Sequence, residues 1–311
     1  MHDKTKSDRH DSVLFDEAIN ALSITSNGVY VDATLGRGGH TQGILDSLGK
    51  SGKVIGFDQD LDAIKYAEKN LIDSRLTLIH SNFSRLNNQL EQLNLMGEVD
   101  GILLDLGISS PQIDNPERGF SFNKDGALDM RMDQSQKMTA ALWLRESSEK
   151  EIADALYQFG EEKRSRIIAS TIKEYQKNKN IDSTLELAEL IKTVVKPGKN
   201  KHPATRSFQA IRIAINDELK MLSDTLDQSI NALKKNGRLA VITFHSIEDR
   251  IVKQFIHKHT RPKQLQKGLP IISNNSHHLP LKDLGKIKPS SDEVRINRRS
   301  RSAILRIVEK C

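Results

Sequence analysis

The sequence predicts an α/β protein whose open, mostly parallel sheet is interrupted by a helical insertion. In the first third of the chain, short runs of Val, Ile and Leu alternate with segments whose apolar residues recur at helical spacing. The runs are continuously apolar, as in strands that are buried on both faces. Between residues 139 and 196, in contrast, helical patterns follow one another with no strand between them. The alternating part therefore predicts βαβ units with right-handed crossovers, and the helical part predicts an insertion.

The predicted elements follow in order along the chain. Strands are predicted at 28–33, 53–58, 76–80, 99–106, 238–245 and 302–308, and helices between the first four at 40–48, 60–71 and 84–95. A long amphipathic stretch covers 205–235, and residues 263–291, rich in Gly, Pro, Ser and Asn, predict a surface loop. This pattern assigns residues 1–111 and 206–311 to the sheet domain and 112–205 to the helical subdomain.

Composition excludes several classes of protein. The 311 residues are 37% hydrophobic and 28% charged, as in an ordinary soluble domain rather than a disordered chain. No apolar run approaches the length of a membrane span, and the polar first residues lack a signal-peptide core, so a cytoplasmic protein without membrane contact is expected. The only cysteine is Cys311, so neither disulfides nor a zinc-thiolate site is expected, and no metal site is predicted.

Positive charge favours a polyanionic partner. The formal net charge is +6, and residues 257–306 carry twelve Lys and Arg against Asp283, Asp292 and Glu293. Many soluble proteins are this basic without binding nucleic acid, but such a local excess favours a surface that faces phosphates.

The segment VDATLGRGGH, residues 31–40, is the first candidate for a ligand site. It joins a predicted strand to a helix, and its glycines allow positive φ and close approach of a ligand to the backbone. Thr41 stands where a dinucleotide fingerprint needs its third glycine, which argues against a nicotinamide oxidoreductase. Asp32 suits a ligand with an ammonium group better than one with a pyrophosphate. S-adenosylmethionine has an ammonium group and no phosphate.

Two further acids end predicted strands. Asp58 lies about twenty residues beyond the glycine loop, where a carboxylate accepts hydrogen bonds from ribose hydroxyls; the alternative is a helix N-cap, shared with Asp60. Asp105 ends the fourth strand, where it and the backbone around 107–109 could hold the hydrogens of a substrate amine and align its lone pair. A structural cap or a cofactor contact is the alternative for Asp105.

Seven motifs in fixed order resemble one family. HDSVLFDEAI, DATLGRGGH, GILLDLGISSPQ, ERGFSF, LDMRMD, KHPATRSFQAIRIAIN and FHSIEDRIVK are similar to the RsmH (MraW) family of bacterial ribosomal-RNA methyltransferases, from about His10 to the C-terminus. The chain departs from the family pattern at Ala127 and Arg298, where proline is usual, and neither position is a proposed cofactor contact.

The resemblance implies a fold, a reaction and a substrate. The fold is that of a class I S-adenosylmethionine-dependent methyltransferase, Rossmann-like, with a mostly parallel seven-stranded sheet and an inserted helical subdomain that recognises RNA. The reaction is direct methyl transfer to the exocyclic N4 of a cytidine in 16S rRNA, near the decoding centre at the P site. The substrate is naked rRNA, a small ribosomal subunit or a late assembly intermediate. A protein that kept this fold as an RNA-binding assembly factor is disfavoured by the intact glycine loop, Asp58 and Asp105.

The resemblance also implies the site residues. The cofactor contacts are expected at Gly38, Gly39, His40, Asp58, Phe83, Asp105 and Gln112. Phe83 could pack against adenine or be an ordinary core aromatic. The basic turn near 196–203 and the end of the fifth strand supply candidate RNA contacts: His202, Arg206, Gln209, Arg212, His245 and Arg250.

Overall fold

One seven-stranded sheet organises the computed structural model, which describes residues 12–197, 202–262 and 279–311. The strands are β1 (Val29–Asp32), β2 (Lys53–Asp58), β3 (Leu76–His80), β4 (Val99–Asp105), β5 (Leu233–Thr243), β6 (Leu281–Ile287) and β7 (Ile304–Lys310). Their order is β3-β2-β1-β4-β5-β7-β6, with β7 antiparallel to both of its neighbours and the other pairs parallel. The predicted mostly parallel sheet of the class I methyltransferase fold is confirmed.

Helices cover both faces of this sheet. They are α1 (Phe15–Leu22), α2 (Gly39–Ser47), α3 (Leu61–Asn70), α4 (Leu86–Gln92), α11 (Glu218–Ala232), α12 (Ser246–Thr260) and α13 (Ser291–Ile296). In β4, Ile102 and Leu104 join the core under α4, α11 and α12, whereas Leu103 joins the core under α1 and α2. Successive strand residues are therefore buried on opposite faces, which explains why the strand sequences are continuously apolar.

The described residues form two compact units. The sheet unit comprises the described residues up to Gly107 and those from Lys220 to Cys311, and the inserted unit comprises those from Ile108 to Leu219. The inserted unit contains α5 (Ser110–Asp114), α6 (Ala140–Glu146), α7 (Glu149–Gly160), α8 (Ser165–Gln176), α9 (Thr184–Val194) and α10 (Thr205–Asn216). Its own core draws on Leu144, Leu156, Ile168 and Ile211, all fully buried.

Two predicted boundaries differ from the structure. The stretch predicted as one helix at 205–235 is two helices, because Asp217 adopts a left-handed conformation (φ 53°) that ends α10. Because α10 packs on α7, it belongs to the inserted unit, and the unit ends at Leu219 instead of 205. The loop predicted at 263–291 contains β6, an edge strand whose mostly exposed sequence LKDLGKI lacks an apolar run.

Candidate functional site

Three aspartates end neighbouring strands at one edge of the sheet. Asp32 ends β1 and lies opposite Gly56 of β2 and Leu103 of β4, so Asp58 and Asp105 each extend two residues beyond it. The strand order reverses between β1 and β4, and in open α/β sheets ligands bind at the carboxyl ends of the strands beside such a switch point. The topology therefore brings the three predicted acids to the edge where a cofactor binds.

The glycine loop between β1 and α2 has two positive φ angles, 53° at Gly36 and 74° at Gly38. A Cβ on Gly38 would lie 2.2 Å from Leu71 Cδ1, the end of a flexible side chain that would have to move, so the positive φ is the main reason for glycine here. A Cβ on Gly36 would meet only the Thr34 carbonyl oxygen, at 3.9 Å. The space over Gly36 is open, and a ligand can approach the backbone there.

The sequence left two roles open for Asp58 and Asp60, ribose binding and the N-cap of the next helix, and the structure assigns the N-cap to Asp60. Asp60 is the N-cap of α3, since its Oδ1 accepts from the backbone of Asp62 at 3.0 Å. Asp58 accepts from the backbone N–H of Gly36 through Oδ2 and from that of Asp60 through Oδ1, both at 2.8 Å. Burial raises the pKa of Asp58 to about 6, although both hydrogen bonds oppose the shift. The carboxyl is thus held beside the glycine loop, and each oxygen retains a lone pair for a ligand hydroxyl.

Asp32 has a different role from the one its sequence position suggested. The side chain is 1% exposed, and its oxygens accept from Thr41 Oγ at 2.6 Å and from the Thr34 backbone at 3.2 Å. Burial raises its pKa. Asp32 therefore fixes the glycine loop to the first turn of α2 and does not present its carboxylate to a ligand ammonium group. This hydrogen bond also explains why Thr41 stands where a dinucleotide loop has glycine.

Asp105 faces His40 across the switch point. His40 Nε2 lies 3.5 Å from Asp105 Oδ2, and the imidazole is 4% exposed and stacked on Phe15. The backbone N–H of Asp105 donates to Thr34 Oγ at 2.6 Å, which fixes the end of β4 to the loop. Burial lowers the pKa of His40, but the nearby Asp105 and Asp32 carboxylates outweigh this effect, so the pKa is raised overall.

One oxygen of Asp105 is left without a partner. Asp105 Oδ1 is buried and, among the described residues, accepts no hydrogen bond. A buried carboxylate oxygen without a donor is costly, so it marks a position where a ligand N–H or O–H would be favoured. The sequence indicated Asp105 itself. Its contacts with His40 and Thr34 could not be predicted, because those residues lie about seventy positions earlier in the chain and no local pattern connects them.

Phe83 lies in a single 3-10 turn after β3, which Asn82 caps by accepting from the Ser84 backbone at 2.8 Å. The ring packs against the core of the sheet and stays partly exposed. One face is thus supported by apolar side chains, which fits both a core aromatic and a platform for adenine.

Gln112 lies in the inserted unit, where it is 6% exposed. Its Oε1 accepts from the backbone N–H of Ser109 at 3.0 Å, and the two residues form a capping box at the start of α5. This contact explains its burial and fixes its side chain.

Three candidate RNA contacts lie along the start of α10. The ring of His202 stacks on Phe122 at a centroid distance of 4.3 Å, Arg206 is exposed, and Gln209 donates to the Phe159 carbonyl at 3.1 Å. All three make a hydrogen bond within the inserted unit, since Arg206 Nη1 also donates to the Glu161 carbonyl at 3.3 Å, but Arg206 is the exposed one of the three.

Arg212 is a structural residue. It is 8% exposed, and its guanidinium binds Glu218 through two hydrogen bonds of 2.7 Å. This bidentate pair spans the break between α10 and α11 and neutralises the charge that was expected to contact phosphate. We therefore withdraw Arg212 from the candidate RNA contacts.

His245 and Arg250 belong to α12 of the sheet unit. His245 is the N-cap of this helix, with Glu248 3.0 Å from its Nε2, so it too has a structural function. Arg250 is exposed on the second turn. Since β5 ends at Thr243 beside the end of β4, both residues lie at the edge of the sheet that carries Asp105.

The described residues contain neither a metal-binding group nor a membrane span. Within 12–197, 202–262 and 279–311, no three His, Cys, Asp or Glu side chains are grouped to hold an ion. No helix in these ranges is long and apolar enough to cross a membrane. Of the basic residues counted in the sequence, Lys263 and Lys267 lie outside the described residues.

Comparisons with known proteins cover nearly the whole chain. The family described as "MraW methylase family" matches residues 7–311. Proteins named ribosomal RNA small subunit methyltransferase H are similar: that of Vesicomyosocius okutanii is 58% identical over 301 residues, covering 97% of this chain and 98% of the relative. That of Alteromonas mediterranea is 50% identical over 305 residues, covering 97% of each. Among solved structures, an rRNA methylase from Streptococcus thermophilus is 13% identical, with a TM-score of 0.42 over 95% of this chain and 93% of that one.

Proposed function

Because the chain belongs to the MraW methylase family, we propose that it methylates small-subunit ribosomal RNA with S-adenosylmethionine as the methyl donor. The relatives named for this activity match over almost their entire length, which supports the proposal. The specific target we propose is the exocyclic N4 of a cytidine in 16S rRNA near the decoding centre. We also propose that the RNA is presented within a small subunit or a late assembly intermediate, and that the enzyme acts in the cytoplasm.

The residues at the switch point fit this donor. Asp58 accepts the ribose hydroxyls, the backbone of Gly38–His40 approaches the rest of the molecule, and Phe83 supports the adenine. By resemblance, Asp105 and Gln112 complete the contacts. When bound, the donor supplies a methyl group on a sulfonium, which is activated for in-line displacement.

The unpartnered Oδ1 of Asp105 is the observation that carries the proposed chemistry. An exocyclic amine is a weak nucleophile because its lone pair is delocalised into the ring. When Asp105 Oδ1 accepts an N–H of the amine, this buried oxygen gains a hydrogen-bond donor. The same hydrogen bond orients the lone pair of the amine nitrogen toward the methyl group. The acceptor is also held in place, since Thr34 fixes the Asp105 backbone.

The transfer needs no covalent enzyme intermediate. Cys311, the only cysteine, follows the end of β7. Because β7 is antiparallel, its end lies at the edge of the sheet opposite Asp105. A thiol cannot therefore attack the base at this site, and direct transfer from donor to amine remains. Arg206 and Arg250, both exposed, are proposed to bind RNA phosphates, together with His202, Gln209 and His245.

The test is mass spectrometry of 16S rRNA from cells that lack this protein. We expect one N4-methylcytidine to disappear and to return with the wild-type gene. With Asp58→Ala it should return only weakly, and Asp105→Ala should lower turnover roughly 10²- to 10³-fold. Asp46→Ala is the matched control, since it removes an exposed carboxylate on α2 away from the site. An unchanged methylation pattern in the deletion strain contradicts the proposal, and loss of a methyl group at carbon C5 contradicts the N4 assignment.

A further inference from the structure

Exposed cations cluster on the segment that joins β6 to β7. The segment contains α13 and a 3-10 turn at Arg298–Ser302. Its exposed basic residues, together with Lys286 near the end of β6, form what we call the basic edge cluster: Lys286, Lys288, Arg295, Arg298, Arg299 and Arg301. Only Asp292 and Glu293 oppose them within the segment.

The register of the sheet places this cluster at the catalytic edge. Asp105 pairs with Ile242 of β5, Ile242 pairs with Leu305 of β7, and Leu305 pairs with Ile287 of β6. Neighbouring strands are about 4.8 Å apart, so the start of β7 lies about 10 Å from Asp105. Because β7 is antiparallel to β5, the residues that precede β7 lie at the same edge of the sheet as Asp105. The distance from these residues to Asp105 corresponds to a few nucleotides of an RNA strand.

The segment is anchored beside the cofactor loop. The backbone N–H of Leu14 donates to Glu293 Oε1 at 2.8 Å, which joins α13 to the start of α1. The next residue, Phe15, stacks on His40 of the glycine loop. Ser300 is fully buried in the middle of the 3-10 turn. The cations are therefore carried on a fixed support.

At the opposite edge, three basic residues of β5 and β7 have partners. There, Lys234 pairs with Asp100, Arg238 pairs with Glu309 at 3.1 Å, and Lys310 donates to a backbone carbonyl. At the catalytic edge, no carboxylate among the described residues pairs with Lys288, Arg298 or Arg301. Within the cluster, Arg295 lies 3.4 Å from Asp292, and both side chains are exposed. Lys288, Arg298 and Arg301 therefore carry unneutralised charge at the catalytic edge, as a surface that binds a polyanion requires.

An apolar side chain accompanies these charges. Ile296, the last residue of α13, is 73% exposed and follows Arg295 directly. It offers an apolar contact for a sugar or base beside the charges.

We propose that the basic edge cluster binds backbone phosphates of the substrate RNA next to the methylated nucleotide. This proposal rests on the proposed function, because the polyanion it names is the rRNA substrate. It assigns phosphate binding to the sheet unit itself, through Lys288, Arg298 and Arg301 above all. The contacts would position the strand and carry no sequence information.

The test compares two triple variants with equal loss of charge. Lys288→Gln/Arg298→Gln/Arg301→Gln removes the unpaired cations at the catalytic edge. Lys50→Gln/Lys53→Gln/Lys235→Gln is the control, since it removes three exposed lysines at the opposite edge of the sheet. Binding to small subunits that lack the modification is measured across a salt series, with S-adenosylhomocysteine present. The affinity for S-adenosylhomocysteine alone, measured for each variant, verifies folding.

Each outcome decides the proposal. A plot of the logarithm of the association constant against the logarithm of the salt concentration has a negative slope. We expect this slope to be less steep by about 2 in the edge variant than in the wild type, since each of three lost phosphate contacts removes roughly 0.7. KM for the subunit should rise roughly tenfold or more, with kcat unchanged at saturation. Equal slopes in the two variants overturn the proposal. So does binding of the wild type to phosphatidylglycerol vesicles that is lost in the edge variant while subunit binding persists. Failure of the wild type to methylate the subunit refutes the proposed function alone, because the slopes are measured without turnover.

Discussion

Acidification should weaken cofactor binding through Asp58. The carboxyl accepts two backbone N–H groups beside the glycine loop, and its pKa is raised to about 6 by burial. Only the ionised form can accept from both ribose hydroxyls while retaining these bonds. At pH 5, one unit below the pKa, ~10% of the carboxyls are ionised, so the Kd for S-adenosylhomocysteine should be about tenfold higher than on the plateau above pH 7.

The stability of the ligand-free protein should change with pH in the opposite sense. The folded pKa of Asp58 is raised from 3.8, so the folded protein holds this proton more tightly than the unfolded chain. The contribution to stability is therefore fully present below about pH 4 and is lost as the pH rises through about 6. Its size is at most about 3 kcal/mol, since the carboxyl is not wholly enclosed.

The pH dependence of the Kd for S-adenosylhomocysteine is measured by isothermal titration calorimetry between pH 5 and 8. His40 also has a raised pKa and faces the same site, so part of any pH dependence belongs to it. Asp58→Asn separates the two, because it removes the carboxyl step and leaves the His40 step. The reasoning is refuted if the wild type and Asp58→Asn show the same change in Kd across this range.

Two substitutions test the packing that supports the site. Gly38→Ala should destabilise the protein by about 2–3 kcal/mol and weaken cofactor binding, because a Cβ there adds backbone strain and displaces the end of the Leu71 side chain, 2.2 Å away. Gly285→Ala, also at positive φ but with no atom within 4 Å of its Cβ, should cost only about 1–2 kcal/mol in denaturant unfolding; equal losses would contradict the steric argument. Glu218→Gln should destabilise the protein by about 3–5 kcal/mol, because it leaves the buried Arg212 guanidinium without its bidentate partner. In urea unfolding, Glu189→Gln is its control, since the Glu189–Lys192 pair is exposed; an undiminished stability in Glu218→Gln would restore Arg212 as a candidate phosphate contact.

The sheet could be predicted from sequence where its strands are buried on both faces. β2 and β3 have the predicted bounds, because apolar runs end sharply at Asp58 and His80. β6 was not predicted, since an edge strand with mostly exposed residues has no apolar run. The break at Asp217 was also missed, because helical periodicity continues through a single left-handed residue and gives no sign of it.

Within the site, the sequence identified residues better than it identified their roles. Asp58 and Asp105 were selected because they end strands, and topology brings such residues to one edge. Asp32 was selected for the same reason, yet Thr41 takes its carboxylate, a contact that depends on the angle at which α2 begins. Arg212 was assigned to RNA because it follows a basic turn in the first turns of a predicted long helix; its partner, Glu218, lies beyond a break that the sequence did not show.

The insertion between β4 and β5 has a consequence for how the chain folds. Leu104 pairs with Val241, yet the whole inserted unit, with a core of its own, is synthesised between them. During synthesis, the glycine loop and Asp58 are therefore present long before β5 can pair with β4. Pairings between strands so distant in sequence also form slowly. Until then, the backbone next to Asp105 is an open edge able to pair with other strands. The catalytic edge is thus completed last in synthesis, and a chain interrupted before Leu233 would be prone to aggregate at the strand that carries Asp105.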